Sequence, residues 1–355
     1  VYTYNSLAAF DSNQAATFTR SFNANAYHAG SLSGAVYLGD TWVPWSPLQL
    51  TYGVRVEGTE YNGAPAENGQ VDQLFGLNTN YWPSEIHASP RIGFTYFVRN
   101  PNGPPAAVIR GGFGEFRANA PLSLFSSAQS ETGLSSGESQ LICIGSGVPF
   151  NTTTGWNGYL NGSTPIPTSC VGGAGTAGDS VPLRQVAGFQ RDFESPRAWR
   201  GSLGIQKRLF GPVNGSIDYT YARGVDLFGV TDANLNTTPA LTLRDEGNRP
   251  VYSSLIDPTT GAVSYVGSRK YAQYGQVWDI NSHLQSETHQ VTVAINGFTL
   301  RGIAYSLAYT YQHARDQTSF PGGSASYGFQ SATTGGNPND VGWGTSDLQR
   351  QHQFL

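Results

Sequence analysis

A strict period-two alternation of apolar and polar residues recurs along this 355-residue chain and limits what it can fold into. Residues 48–57 place Leu48, Leu50, Tyr52, Val54 and Val56 on one side of an extended strand and Gln49, Thr51, Gly53, Arg55 and Glu57 on the other. Residues 302–313 repeat the pattern, with Ile303, Tyr305, Leu307, Tyr309 and Tyr311 facing away from Ala304, Ser306, Ala308, Thr310 and Gln312. Shorter versions occur at 91–98, 199–209, 215–222 and 289–296. A helix, at 3.6 residues per turn, would scatter these apolar positions around its circumference, so the spacing predicts strands. Further strands at 31–42, 106–117, 1–9 and 351–355 bring the expected number to about ten.

The connectors alternate as well. PWSP (44–47), NPNGPP (100–105), FGPVNG (210–215) and GFTLRG (297–302) are tight Gly/Pro turns. Between them run long polar stretches at 58–89, 118–196, 224–285 and 314–350. In bacterial outer-membrane barrels the short turns face the periplasm and the long loops face outside. The expected fold class is therefore all-β: an antiparallel transmembrane β-barrel, here a partial one of about ten strands over residues 1–355, with long extracellular loops and short periplasmic turns. Composition agrees, because charged residues are only 12% while Gly (44), Tyr (19) and Phe (18) are abundant. No window holds the roughly 18 apolar residues of a spanning helix, a test that does not apply to barrel strands. A net charge of -4 leaves no electrostatic footprint for nucleic acid.

Charge on the predicted strands follows the same sorting. Arg55, Glu57, Arg91, Arg110 and Arg200 all fall on the polar alternation, as does Arg208. An arginine on the lipid side near the midplane costs about 2–4 kcal/mol, so these are the candidate lumen-facing residues. They line a permeation path or pair with one another and with a plug to stiffen the wall; the second is the favoured expectation. Lys207 shares the alternation of Leu203 and Ile205, but beside a short turn it can snorkel to the interface. Aromatics sort by depth: Trp199, Tyr219, Tyr221, Tyr309 and Tyr311 near the upper strand ends, Trp42, Trp45, Phe210 and Phe298 near the lower ends. Two interfacial belts are the expectation, with scattered core aromatics the alternative.

Particular segments also match a family pattern. AVIRGGFGEF (107–116), preceded by SPRIGFTYFV (89–98), resembles a strand pair of Oar-like TonB-dependent outer-membrane receptors. So do GAVYLGDTW (34–42) with LQLTYGVRVE (48–57), RAWRGSLGIQKRLFG (197–211) with VNGSIDYTYARG (213–224), IAYSLAYTYQHARDQ (303–317) and SDLQRQHQFL (346–355). These matches are colinear and cover most of the chain. Gly39 stands where the family usually has Gln, and Leu348 where it often has an aromatic. The resemblance implies the barrel part of a receptor with about 22 strands around an N-terminal plug. Its implied partners are the lipid bilayer of the outer membrane, the TonB complex through an N-terminal region absent from this sequence, and a cargo of unknown identity. The start VYTYNSLAAF carries neither a Met nor a signal-peptide pattern, and the last residues open a strand, so neighbouring strands outside this stretch are expected.

Enzyme-like strings carry little weight. Gly173, Gly175 and Gly178 satisfy G-x-G-x-x-G without the strand and helix a dinucleotide site needs. Gly133 to Gly137 satisfies G-x-S-x-G inside a Ser-rich loop. His28, His87, His283, His289, His313 and His352 lack metal-ligand spacing, and the acidic stretch 340–347 reads as a solvated loop rather than a Ca²⁺ site. Cys143 and Cys170 share one loop-like segment, where a disulfide formed in an oxidising compartment competes with two free thiols. The expected function is cargo uptake across the bacterial outer membrane, with no covalent chemistry, cofactor or metal. A surface structural or adhesion protein is the alternative.

Overall fold

The computed structural model describes residues 1–24, 27–101, 103–150, 155–172, 182–256, 265–298, 302–317, 337 and 339–355. Strand β1 (Tyr2–Thr3), helix α1 (Leu7–Asp11) and strand β2 (Thr17–Phe22) precede two hairpins of long strands, β3 (Gly30–Trp45) with β4 (Leu48–Asn62) and β5 (Ser84–Val98) with β6 (Ala107–Arg117). Helix α2 (Gly69–Phe75) lies between the two hairpins. After β6 comes an excursion with α3 (Leu122–Ser130), β7 (Ser139–Ile144), α4 (Gly155–Leu160) and β8 (Leu183–Phe189). A third hairpin, β9 (Arg197–Phe210) with β10 (Val213–Asp232), is followed by the short pair β11 (Leu241–Leu243) and β12 (Arg249–Val251). The fourth, β13 (Tyr274–Phe298) with β14 (Ala304–Asp316), leads to β15 (Gly344–Thr345) and β16 (His352–Phe354).

The eight hairpin strands pair antiparallel in the order β3-β4-β5-β6-β9-β10-β13-β14. Their register keeps each alternation on one face across the whole sheet. One row of paired residues reads Trp42, Leu50, Phe94, Gly111, Leu203, Tyr219, Val291, Tyr311, His352. Trp42 lies three residues from the lower end of β3, Tyr311 seven from the lower end of β14, so the strands are staggered as tilted barrel strands must be. This apolar face is open to its surroundings: Leu38 is 77% exposed, Val36 71% and Ile217 52%. Such a contiguous band is intolerable in water and suits acyl chains. Among the described residues the sheet is not closed; β3 forms one edge, and β14 is met on its far side only by β15 and β16. It is part of a barrel wall.

The buried core sits elsewhere. Residues from the upper strand ends and the connectors, Tyr61, Leu124, Phe125, Ala128, Phe189, Phe193, Val230, Trp278 and Ile280, form one cluster above the wall. Tyr61 on β4 stacks on Phe125 of α3 with ring centroids 3.9 Å apart, and Phe125 lies 4.6 Å from Phe189 on β8. A second cluster joins Val71 of α2 to Val186, Tyr274 and Val277. β8 pairs in parallel with the top of β13 and carries the order β1-β2-β7-β8 with it. The loops thus fold into a packed cap that ties β4 to β13, five strands apart along the wall.

Three expectations need correction. Residues 1–9 hold only a two-residue strand; Ser6 caps a short helix, its Oγ accepting from the Ala9 N–H at 3.1 Å, and Leu7, Ala8 and Ala9 favour helix there. The polar stretches 58–89 and 224–285 begin and end inside strands, since β4 runs to Asn62, β5 starts at Ser84, β10 reaches Asp232 and β13 starts at Tyr274. Above the lipid neither face need be apolar, so the alternation fades while the hydrogen-bond ladder continues. The stretch 118–196 is no plain loop: it carries α3, β7 and β8, whose strands pair with β2 and β13.

Candidate functional site: the polar face of the wall

Opposite the apolar band, three neighbouring rows define the polar face. The middle row is Thr41, Thr51, Gly93, Gly112, Ser202, Thr220, Gln290, Gln312, entirely uncharged. The row above it reads Gly39, Gly53, Arg91, Gly114, Arg200, Ala222, Thr288, Ala314. Below it run Gln49, Thr95, Arg110, Gly204, Asp218, Thr292, Thr310, Gln353. Glycines at the middle of this pattern leave bare backbone, and a depression of about 310 Å³ results, lined on this face by Thr51, Gly93, Thr95, Arg110, Gly112, Ser202, Gly204, Asp218 and Thr220.

The charges around it are arranged by those glycines. Arg110 Nη2 reaches Asp218 Oδ1 at 3.3 Å, although β9 lies between their strands. Only Gly204 permits this, because a Cβ there would stand 2.3 Å from Asp218 Oδ1. Arg91 and Arg200 face Gly114 from its two sides, and their guanidinium carbons lie 4.2 and 5.4 Å from the centroid of the Phe116 ring. Arg91 donates to the Glu115 carbonyl at 3.2 Å, and neither arginine has a carboxylate within ion-pair distance among the described residues. Arg55 is neutralised by Glu57 at 2.9 Å. Higher still, Glu85 accepts from the Ser195 N–H at 2.7 Å and meets His87 Nε2 at 3.0 Å, tying the rim to the cap.

Arg55, Glu57, Arg91, Arg110 and Arg200 fall on one alternation of the paired strands. Asp218, the glycine floor and Phe116 escaped sequence reading; the signal was glycine recurring at polar-face positions, visible only once strands are in register. Trp42, Trp199, Tyr219, Tyr221, Tyr309 and Tyr311 share the apolar face, and Trp45, past a bulge, pairs with Leu48. Phe210 and Phe298 follow the other alternation, each at the last position of its strand. Asp40 breaks the sorting by facing Tyr52 on the apolar side, where the phenol donates to it at 3.3 Å. Cys143 and Cys170 form a disulfide in the cap. Gly133 to Gly137 is a turn between α3 and β7; Gly173, Gly175 and Gly178 lie outside the described residues. Among the described residues no three His, Cys, Asp or Glu side chains gather as metal ligands.

A family model described as the outer membrane beta barrel domain matches residues 1–355. The chain belongs to this family. Its place is therefore the bacterial outer membrane, with the apolar band in lipid, the short turns inside and the capped loops at the cell surface. The barrel also resembles the FrpB iron transporter from Neisseria meningitidis (F3-3 variant), at 10% identity and a TM-score of 0.40, over 82% of this chain and 27% of that one. It resembles the outer membrane transporter YddB from Escherichia coli at 9% identity and a TM-score of 0.35, over 82% of this chain and 34% of that one. The barrel thus spans about a third or less of either transporter's chain. No curated protein matches its sequence.

Proposed function

We propose that this barrel is the wall of an importer resembling Oar-like TonB-dependent receptors, which captures cargo at its capped loops and passes it inward along the polar face. The observation that carries this reading is the polar face itself: rows of hydroxyls, amides, glycines and arginines continuous across eight strands, on the side away from lipid. A wall with a purely structural inner side needs neither bare backbone nor arginines without carboxylates. On this reading Arg55, Glu57, Arg91, Arg110 and Arg200 face the lumen, and the aromatics of the apolar face sit at the two interfaces. Residues 1–355 then form one portion of a larger barrel, whose remaining strands pair with the edges at β3 and β14 and whose plug couples to the TonB complex. No covalent chemistry or cofactor enters this scheme.

The test is uptake in the native cell. Deleting the gene, or the TonB box of the full-length protein, is expected to abolish energy-dependent accumulation of a solute found by comparing uptake profiles. Unchanged uptake with lost cell-to-surface contact would replace the import reading with an adhesive one.

A further inference from the structure

We propose that the periplasmic foot of the wall is a docking surface for anionic phospholipids of the periplasmic leaflet, with Arg99 and Lys207 meeting their phosphates. The observation behind it is a polarity of charge along the chain. The four short turns with the strand ends beside them, residues 43–49, 96–108, 206–214 and 296–305, contain Arg99, Lys207, Arg208 and Arg301 and no Asp or Glu. Of the 20 Lys and Arg and 24 Asp and Glu in the chain, these four leave 16 against 24 elsewhere, so the foot is net +4 and the rest of the chain net -8.

The register puts Lys207 at headgroup depth. On the lipid side the last row before the turns reads Val98, Ala107, Lys207, Gly215, Ile295, Leu307. The row above it is Tyr96, Ile109, Ile205, Ile217, Val293, Tyr309, so acyl chains end their contact with the wall just above Lys207. Lys207 is the only charge in either row. It is exposed, is paired with Ala107 and Gly215, which bring no polar side chain, and has no carboxylate within ion-pair distance among the described residues. Arg99 directly follows Val98 of the same row, so the two cations start from backbone about 10 Å apart, two strand spacings. Arg99 is also exposed and without a carboxylate partner among the described residues, and it is the one charged side chain among the described lining of a depression of about 540 Å³ at the first two turns, beside Ser46 and Asn100. Arg208 belongs to the polar alternation, and its Nε donates to the Gly211 carbonyl, which fixes the turn. The lipid side of the sheet is reached by lipid and not by solutes in the lumen, which selects a phospholipid phosphate over other anions.

The experiment reads lipid selectivity. The full-length protein is placed in phosphatidylcholine bilayers, and spin-labelled phosphatidylglycerol and phosphatidylcholine are compared for the motionally restricted fraction at its surface. Phosphatidylglycerol should be enriched about twofold or more at low salt, the roughly fivefold effect of a single cation being averaged over the lipid shell, and added salt should reduce the enrichment. R99Q/K207Q should bring the ratio close to that of the neutral lipid, whereas K207R should keep the preference. R223Q/R350Q, which removes two cations from the upper part of the chain, should leave it unchanged. Retention of the heat-dependent shift in gel mobility verifies folding of each variant. Equal partitioning of the two lipids in the unaltered protein, or enrichment that persists in folded R99Q/K207Q, overturns the proposal. So does enrichment lost equally in R223Q/R350Q, which would make it a matter of total charge. Binding of purified peptidoglycan that R99Q/K207Q abolishes, with no lipid preference, would assign the foot to the carboxylates of the cell wall and overturn the lipid reading.

Discussion

At the level of single residues, burial decides which ion pairs matter. The Arg110 and Asp218 side chains are 59% and 35% exposed, so their pair is screened by water and contributes little. Gly204→Ala should separate them at a stability cost of about 1 kcal/mol or less, measured as the midpoint of heat-induced gel-mobility change. Arg269 and Asp232 differ, being 2% exposed on both sides, with Asp232 also accepting from the Asn234 and Val277 N–H groups. Arg269→Ala strands a buried carboxylate and should destabilise the cap by about 3 kcal/mol, read as faster proteolysis around residues 233–273 with the wall intact. Which alternation each arginine belongs to is legible in the sequence, because strand parity is a local property. The sequence did not show that Gly204 joins Arg110 to Asp218, since that contact depends on three strands lying in one register.

At the level of elements, the cap and the wall obey different rules. The wall was readable because lipid on one side and water on the other impose a period of two on every strand. The cap was not, since its core is assembled from scattered residues: Tyr61, Leu124, Phe125, Phe189 and Trp278 come from four separate elements with no common repeat. Its weak points can nonetheless be predicted. Glu131, at the end of α3, has its carboxyl enclosed, with burial first and Glu138 second raising its pKa from the ordinary 4.5 to about 8. The folded cap therefore holds this proton more tightly than the unfolded chain does. Its stability is full below about pH 4.5 and declines as pH rises towards 8. Protease resistance of the α3 region should be greater at pH 5 than at pH 8, and Glu131→Gln should flatten that dependence. The disulfide closes a span of 27 residues beside Phe18 and Leu141. Reducing it should cost the cap about 2–4 kcal/mol and expose residues 145–170 to protease first.

At the level of the whole molecule, the account rests on one sheet having lipid on one face and water on the other. Val293 belongs to the apolar alternation of β13 and Thr292 to the polar one, one residue apart. Val293→Arg should cost about 2–4 kcal/mol and impair assembly into the membrane, whereas Thr292→Arg should be tolerated. The outer-membrane barrel fold could be read from the sequence because this asymmetry is written into every strand, while the role of the polar face is not a periodic property. The most direct measurement replaces residues 290–295 of β13 one at a time with cysteine in the full-length protein in native outer membranes, and labels each with a membrane-impermeant maleimide. Reaction at Gln290, Thr292 and Ala294 with protection at Val291, Val293 and Ile295 is the predicted result; uniform reaction or uniform protection along the strand would contradict it.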